Sequence, residues 1–160
     1  MLMNYSSVAF ASYQESDYLF YKDNKYVTYS HPLTMYFKTK NIKKHKFNCK
    51  TFDGLEKCAS KSSNIRGYIA NWEIDEGVLF LKGLENIFDE SIDLKNIFSN
   101  KSQNERMKAT WYSGELKISD GKVLDIKRET MGYGTIFERD VIFDIQFGKV
   151  ISVIHVNNTN

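Results

Sequence analysis

Proline, cysteine and net charge are all scarce in this chain of 160 residues. There is one proline, so rigid proline-rich linkers are not expected. The 22 basic and 20 acidic residues leave a net charge of +2, too little for a general nucleic-acid binder, which concentrates many more Lys and Arg on one face. No run approaches the roughly 20 apolar residues that cross a bilayer. Since Met1–Phe10 also lacks the basic-then-apolar order of a secretory signal, the sequence predicts a cytoplasmic protein without a membrane span.

The two cysteines, Cys49 and Cys58, lie nine positions apart and form no C-x-x-C motif. A structural zinc site would therefore need ligands from scattered histidines. We expect reduced, unpaired thiols, no metal site and no cofactor.

Aromatic residues are abundant, with ten Tyr and eleven Phe. Flat rings pack well on the half-buried surface of a pleated sheet, so this composition favours strands. A hydrophobic content of 42% with 26% charged residues is ordinary for a folded globular protein. The sequence predicts one β-rich domain that spans residues 1–160.

Local patterns predict an α+β fold that is predominantly antiparallel, with about eight strands in a meander or half-barrel and two short helices. The first helix would begin after a cap at Ser30, with Pro32 in its first turn, and the second would run from the acids around Asp89 to Asn100. A long polar loop is expected over Asn48–Asn64. The predicted strands are Asp17–Tyr21, Tyr26–Tyr29, Gly67–Ile74, Val78–Leu84, Met107–Ile118, Val123–Lys127 and a pair within Glu138–His155.

Four turn signals support hairpins, and the first is the polar turn Lys22–Lys25 between the strands Asp17–Tyr21 and Tyr26–Tyr29. Asp75-Glu76-Gly77 predicts a three-residue connection, Asp120-Gly121 is a strong two-residue hairpin signal, and Phe147-Gly148-Lys149 turns the last pair. Gly114 interrupts an imperfect alternation and predicts a bulge or bend.

Catalytic patterns are weak. No serine lies in a G-x-S-x-G elbow that would pair it with His31, His45 or His155. The glycines of Met131–Thr135 lack the strand-loop-helix context of a phosphate site. Glu138 and Asp140 would share one face of a strand, but solvated edge charges explain them equally well. The sequence predicts no catalytic residue.

Two charge clusters are candidates for partner binding. A basic cluster occupies Lys38–Lys50 and is interpreted chiefly as a solvated loop. An acidic cluster comprises the predicted hairpin tip and the start of the second predicted helix, and an acidic surface can steer and hold a basic protein such as a nuclease. Its predicted partner-binding residues are Glu73, Asp75, Glu76, Glu85, Asp89 and Glu90.

Three segments carry a resemblance: Gly67–Ile74 (GYIANWEI), Trp111–Ile118 (WYSGELKI) and Met131–Asp140 (MGYGTIFERD). Together they resemble a pattern in small uncharacterised bacterial proteins, which are similar in size and appearance to immunity partners of polymorphic and contact-dependent growth-inhibition toxins. The resemblance covers roughly the second half of the chain. It implies an antitoxin that binds the C-terminal domain of a cognate toxin and blocks its active site without turnover.

Two alternatives stay open. One is a small enzyme or ligand-binding barrel whose pocket is lined by Tyr133, Trp111 and Glu138. The other is a nucleic-acid-binding module that uses Lys38–Lys50 with aromatic stacking.

Overall fold

The computed structural model describes residues 14–42, 47–98, 105–126 and 134–159. It contains one α-helix, α1 (Pro32–Lys40), and a 3₁₀ turn at Leu94–Asn96 within these ranges. The strands are β1 (Asp17–Tyr21), β2 (Asn24–Thr28), β3 (Cys49–Phe52), β4 (Leu55–Cys58), β5 (Tyr68–Asp75), β6 (Val78–Asn86), β7 (Ser91–Ile92), β8 (Met107–Lys108), β9 (Gly114–Asp125), β10 (Ile136–Gln146) and β11 (Lys149–Asn157).

Seven of the described strands close into a mixed β-barrel in the order β11-β10-β9-β2-β1-β5-β6. All neighbours are antiparallel except β1 and β5, which pair in parallel. The barrel closes between β6 and β11 at a single register position, where Lys149 lies opposite Val78. The predicted β-rich, mainly antiparallel architecture is confirmed, whereas the parallel pair and the closure were not predicted.

The core fills the barrel and continues under α1. Leu19, Trp72, Leu81 and Phe143 are fully buried. Trp72 alternates with polar neighbours on its strand, which predicts a core position, and the structure confirms it. Phe37 of α1 packs edge-on against Tyr68 at the start of β5, with a centroid distance of 5.4 Å. The helix therefore covers the end of the barrel opposite to the β1–β2 and β5–β6 turns.

The helix α1 begins as its sequence requires, with Pro32 in the first turn. Its N-cap is His31, so the predicted cap at Ser30 is wrong: the Ser30 hydroxyl instead accepts a hydrogen bond from the Lys117 backbone N–H at 3.1 Å. At the other end Asn41 adopts a left-handed conformation and donates its N–H to the Lys38 carbonyl, which ends the helix.

The second predicted helix is wrong. Ser91–Ile92 pairs with β6, which leaves only the 3₁₀ turn, and the Asp93 side chain caps that turn by accepting from the Lys95 N–H. The apolar residues that suggested the helix are nevertheless buried, namely Leu94, Ile97 and Phe98. Sheet pairing thus decides the backbone conformation, while the apolar pattern correctly marks the core.

Turn predictions have mixed outcomes. All three of the hairpins predicted at Lys22–Lys25, Asp75–Gly77 and Phe147–Lys149 are confirmed. Each turn has only two residues, namely Lys22-Asp23, Glu76-Gly77 and Phe147-Gly148, all with positive φ. Asp120-Gly121 is not a hairpin, because β9 runs straight through it. The register to β10 shifts there, so Gly121, at φ +85°, serves a bulge opposite Glu138. The predicted strand Met107–Ile118 is likewise divided by a turn at residues 109–113 into β8 and the start of β9.

The predicted loop Asn48–Asn64 contains the two-stranded sheet β3–β4. Cys49 and Cys58 are direct partners in its register and form a disulfide, so the prediction of unpaired thiols is wrong. The Asp53-Gly54 turn, with both residues at positive φ, brings the cysteines opposite each other. A spacing of nine residues suits such a hairpin, which sequence analysis took for a loop.

Candidate functional site

The open end of the barrel is formed by strands of unequal reach. Because β11 pairs with β6 only at Lys149, the rest of β11 extends past the end of β6 together with the paired parts of β9 and β10. Eight residues from Val150 to Asn157 reach roughly 25 Å. Two adjacent hollows lie at this end of the barrel, and Tyr21 and Lys22 line both of them. The inner face of the extension borders the second hollow only.

The first hollow, of about 460 Å³, lies between the β1–β2 and β5–β6 turns and is called here the acidic hollow. It is lined by Phe20, Tyr21, Lys22, Asp23, Glu73, Ile74, Asp75, Glu76, Gly77 and Lys82. Arg106 donates to Glu73 at 2.6 Å and to Asp75 at 2.7 Å, and its guanidinium holds the pKa of Glu73 below the usual range. Lys82 adds an ion pair to Glu73 at 3.1 Å. Glu73 and Asp75 are therefore compensated by basic side chains.

Asp23 and Glu76 are the other two acids of this hollow, and neither enters an ion pair in the described part of the chain. Both adopt positive φ, +62° and +48°. Glycine, asparagine and aspartate are the usual residues in that conformation, which costs a side chain such as that of Glu76 about 1–2 kcal/mol. The two turns therefore present uncompensated carboxylates, and at Glu76 local stability favours a different residue.

The six predicted partner-binding acids do not form one surface. Glu73, Asp75 and Glu76 line the acidic hollow, whereas Glu85, Asp89 and Glu90 lie at or beyond the other end of β6. Glu73 pairs with Phe80, five strand positions from Glu85, so the two groups are roughly 17 Å apart where they come nearest. In the distant group Glu85 accepts from the Asn71 amide at 3.0 Å, and Lys50 forms an ion pair with Glu90 at 2.6 Å.

The second hollow, of about 380 Å³, lies against the inner face of the extension and is called here the barrel-mouth hollow. Its lining residues are Tyr21, Lys22, Tyr26, Ile118, Asp120, Arg139, Asp140, Val141, His155, Val156 and Asn157. Arg139 donates to Asp120 through Nε and Nη2, at 3.2 and 2.9 Å, and this contact lowers the pKa of Asp120. The hollow was not predicted from sequence, because its residues come from five strands.

A buried polar cluster occupies the opposite end of the barrel, near α1. The carboxylate of Asp17 is fully buried and accepts from Arg66 at 2.6 Å, from the Ala70 N–H at 3.1 Å and from the Trp72 indole at 3.3 Å. His31 lies 3.4 Å from the same carboxylate. In the sequence, the one signal of this cluster is a charged residue, Asp17, at the start of an apolar strand.

Nearby, burial raises the pKa of Tyr68 to about 12. The Tyr68 hydroxyl lies 3.1 Å from that of Thr34, and its ring lies under the Arg66 guanidinium at 5.1 Å. The Asp17 contacts join β1 to β5, and the contact between Thr34 and Tyr68 joins α1 to β5. The cluster is therefore interpreted as the structural anchor of this end of the barrel.

The alternative pocket of Tyr133, Trp111 and Glu138 is not assembled from its described members. Trp111 lies in a turn, donates to the Pro32 carbonyl at 3.1 Å and stacks on Phe98 beside α1. Glu138 accepts from the Lys122 N–H at 3.1 Å, at the β9 bulge. Tyr133 and most of the Met131–Thr135 turn lie outside the described residues.

The predicted basic cluster is only partly described. Lys38 and Lys40 lie in the last turn of α1 and Lys50 pairs with Glu90, while residues 43–46, with three lysines and His45, lie outside the described ranges.

Cys49, Glu56 and Cys58 place their ligand atoms within 4.8 Å of one another. The disulfide occupies both sulfurs, however, and a thioether-like disulfide sulfur is a poor substitute for the thiolate that binds metals.

Comparison of the chain with protein-family models, with curated proteins and with solved structures gives no match. Among the described residues, no helix has both the length and the apolar character that a membrane crossing requires.

Proposed function

We propose that the protein is a binding protein of the immunity type, which attaches to a cognate bacterial toxin domain and covers its active site without turnover. The observation that carries this proposal is the acidic hollow, where carboxylates from two separate hairpin turns, Asp23 and Glu76, face solvent without an ion pair among the described residues. A toxin that acts on nucleic acid has a basic active site, which such a surface complements. The resemblance of residues 67–74, 111–118 and 131–140 to immunity partners of toxins implies the same function.

The positive φ of Glu76 also supports the proposal. Strained backbone is retained where the surrounding structure enforces it, and it is commonly found at functional sites. Phe20 and Tyr21 supply apolar and aromatic area in the same hollow, and aromatic anchors next to charged groups are typical of protein interfaces.

The test is a charge reversal in each acidic group. The purified protein is titrated against the toxin domain encoded beside it, and we expect Glu76→Lys to weaken association by about ten-fold or more, since it replaces an attraction with a repulsion. Asp89→Lys is the matched control, because it changes the same charge at an exposed, positive-φ position beyond the other end of β6. Equal affinities of the wild type and Glu76→Lys would refute the assigned surface, and a neighbouring protein that is neither toxic nor bound would refute the function.

Arg106 provides a second prediction of opposite sign. Arg106→Gln removes the cation that compensates Glu73 and Asp75, so the hollow becomes more negative. We expect toxin association to become about two- to five-fold faster at low salt, with the gain reduced at high salt by screening. A slower association would indicate that Arg106 itself contacts the toxin.

The proposed cytoplasmic location predicts reduced cysteines, because the cytosol keeps most thiols reduced, whereas the structure contains a disulfide between Cys49 and Cys58. Cells are quenched with acid so that the thiols keep their state, and the extracted protein is then unfolded in denaturant and its reactive thiols are counted. We expect two reactive thiols in protein taken from the cytosol and none in protein that has been oxidised in air. The β3–β4 hairpin is a sheet separate from the barrel, so the far-ultraviolet circular dichroism of the two forms should be closely similar. Two unreactive cysteines in freshly trapped protein would argue for an oxidising compartment.

A further inference from the structure

We infer that the barrel-mouth hollow is a binding site for a small molecule with a flat apolar body and one negative charge, such as an aromatic carboxylate or sulfonate. This inference is independent of toxin binding. A volume of about 380 Å³ lies within the range of small-molecule sites. The mouths of β-barrels are also a recurrent place for such sites.

The floor of the hollow is apolar and rigid. Ile118 is 2% exposed and belongs to the barrel core, and Val141 is partly buried beside it. The Tyr21 ring packs edge-on against the buried Phe143 at 4.9 Å, which fixes its orientation. Together with Tyr26 these side chains offer an apolar surface to a flat ring system.

The rim supplies the basic groups. Arg139 and Asp120 neutralise each other by their two hydrogen bonds, so they contribute no net charge. Asp140 accepts from Ser119 at 2.6 Å and from Asn158 at 3.0 Å, and its charge is compensated by Lys117 at 3.4 Å. Lys22 and His155 enter no ion pair or side-chain hydrogen bond in the part of the chain described, apart from the Lys22 ammonium at 5.2 Å from the centroid of the Tyr21 ring.

These features determine the ligand class. One uncompensated ammonium and an imidazole beside an apolar floor favour an anion over a cation, and the exposed position of Lys22 limits the electrostatic gain. Most of the affinity must therefore come from burial of the apolar body, with the charge adding selectivity.

Two dyes that differ only by a sulfonate test this assignment. The probes are 8-anilinonaphthalene-1-sulfonate and its neutral counterpart N-phenyl-1-naphthylamine, each titrated by fluorescence with the full chain. We expect the sulfonate to bind one to one. Val141→Trp, which fills the hollow, should weaken both dyes at least about ten-fold, because it removes the space for the ring system. Lys22→Gln and His155→Glu should weaken the sulfonate by about two- to five-fold or more and leave the neutral dye unchanged.

Two control variants separate this site from other surfaces. Ile154→Ser removes an exposed apolar side chain from the opposite face of β11, and Lys57→Gln removes an exposed lysine from β4. Neither should change the affinity of either dye. The assignment is overturned if Ile154→Ser abolishes binding, if His155→Glu leaves the sulfonate affinity unchanged, or if neither dye shows saturable binding. His155→Glu is at an exposed position, so it remains informative even if Val141→Trp does not fold.

Discussion

Replacement of Asp17 by alanine is expected to destabilise the protein by about 3–5 kcal/mol, because it leaves the buried Arg66 guanidinium without its carboxylate. The side chain of Asp17 is fully buried and that of Arg66 is 8% exposed, with 2.6 Å between Oδ1 and Nη1. The same change removes the acceptor of the Ala70 N–H and of the Trp72 indole. Equilibrium unfolding in urea measures the effect.

A double-mutant cycle separates the lost ion pair from the lost packing. Arg66→Met removes the charge while keeping an extended apolar side chain, so Asp17→Ala should cost substantially less in that background. Glu56→Ala is a suitable control, since it removes an exposed carboxylate from β4, and it should change the free energy of unfolding by no more than about 0.5 kcal/mol. A loss below about 1 kcal/mol for Asp17→Ala would contradict the anchoring role of the cluster.

Substitution of Gly148 by alanine is the second large effect that we expect, with a cost of about 2–4 kcal/mol. Gly148 adopts φ +77°, and a Cβ there would lie 2.8 Å from the carbonyl oxygen of Ala109. The Gly148 carbonyl accepts from the Leu79 N–H at 2.8 Å, and the Gly148 N–H donates to the Tyr112 carbonyl at 2.9 Å. Both contacts are next to Lys149 and Val78, where the barrel closes, so any shift of this turn opens the closure.

Gly77 offers a closely matched control. It has φ +72°, nearly that of Gly148, but no atom lies within 4 Å of a Cβ built there. Gly77→Ala therefore reports the backbone strain alone, about 1 kcal/mol, and the difference between the two variants reports the collision with the Ala109 backbone. If thermal or urea unfolding shows equal losses, the close contact at the closure is not a determinant of stability.

Part of the candidate site could be foreseen from sequence. The tip of the β5–β6 hairpin was predicted with its acids, and Asp75 and Glu76 indeed lie at one end of the barrel in the acidic hollow. The grouping with Glu85, Asp89 and Glu90 was wrong in geometry. Glu76 precedes the nine-residue strand β6 and Asp89 and Glu90 follow it, so the length of the strand holds them apart. Asp23 was missed, since its contribution depends on the pairing of β1 with β5.

The barrel-mouth hollow and the Asp17 cluster were beyond any local pattern. Asp17 and Arg66 are separated by 49 positions, and the parallel register that places Tyr18 opposite Asn71 brings these segments together. A chain shows periodicity and turn chemistry within a strand or a hairpin, but it gives no sign of which distant strand becomes a neighbour. The disulfide was missed for the more local reason that β3–β4 is short and polar.

The sequence by itself determined the β-rich composition, the burial of Trp72 and the places of the β1–β2, β5–β6 and β10–β11 hairpin turns, though not their lengths. These features depend on side-chain polarity and on the backbone freedom of a few residues, which are local properties. Only the tertiary structure decided that Asp120-Gly121 becomes a bulge within β9, that β1 pairs in parallel with β5 and that β6 meets β11. In each of these cases strand pairing and burial over many residues outweigh the local conformational preference of two or three residues. The outcome therefore depends on the whole barrel.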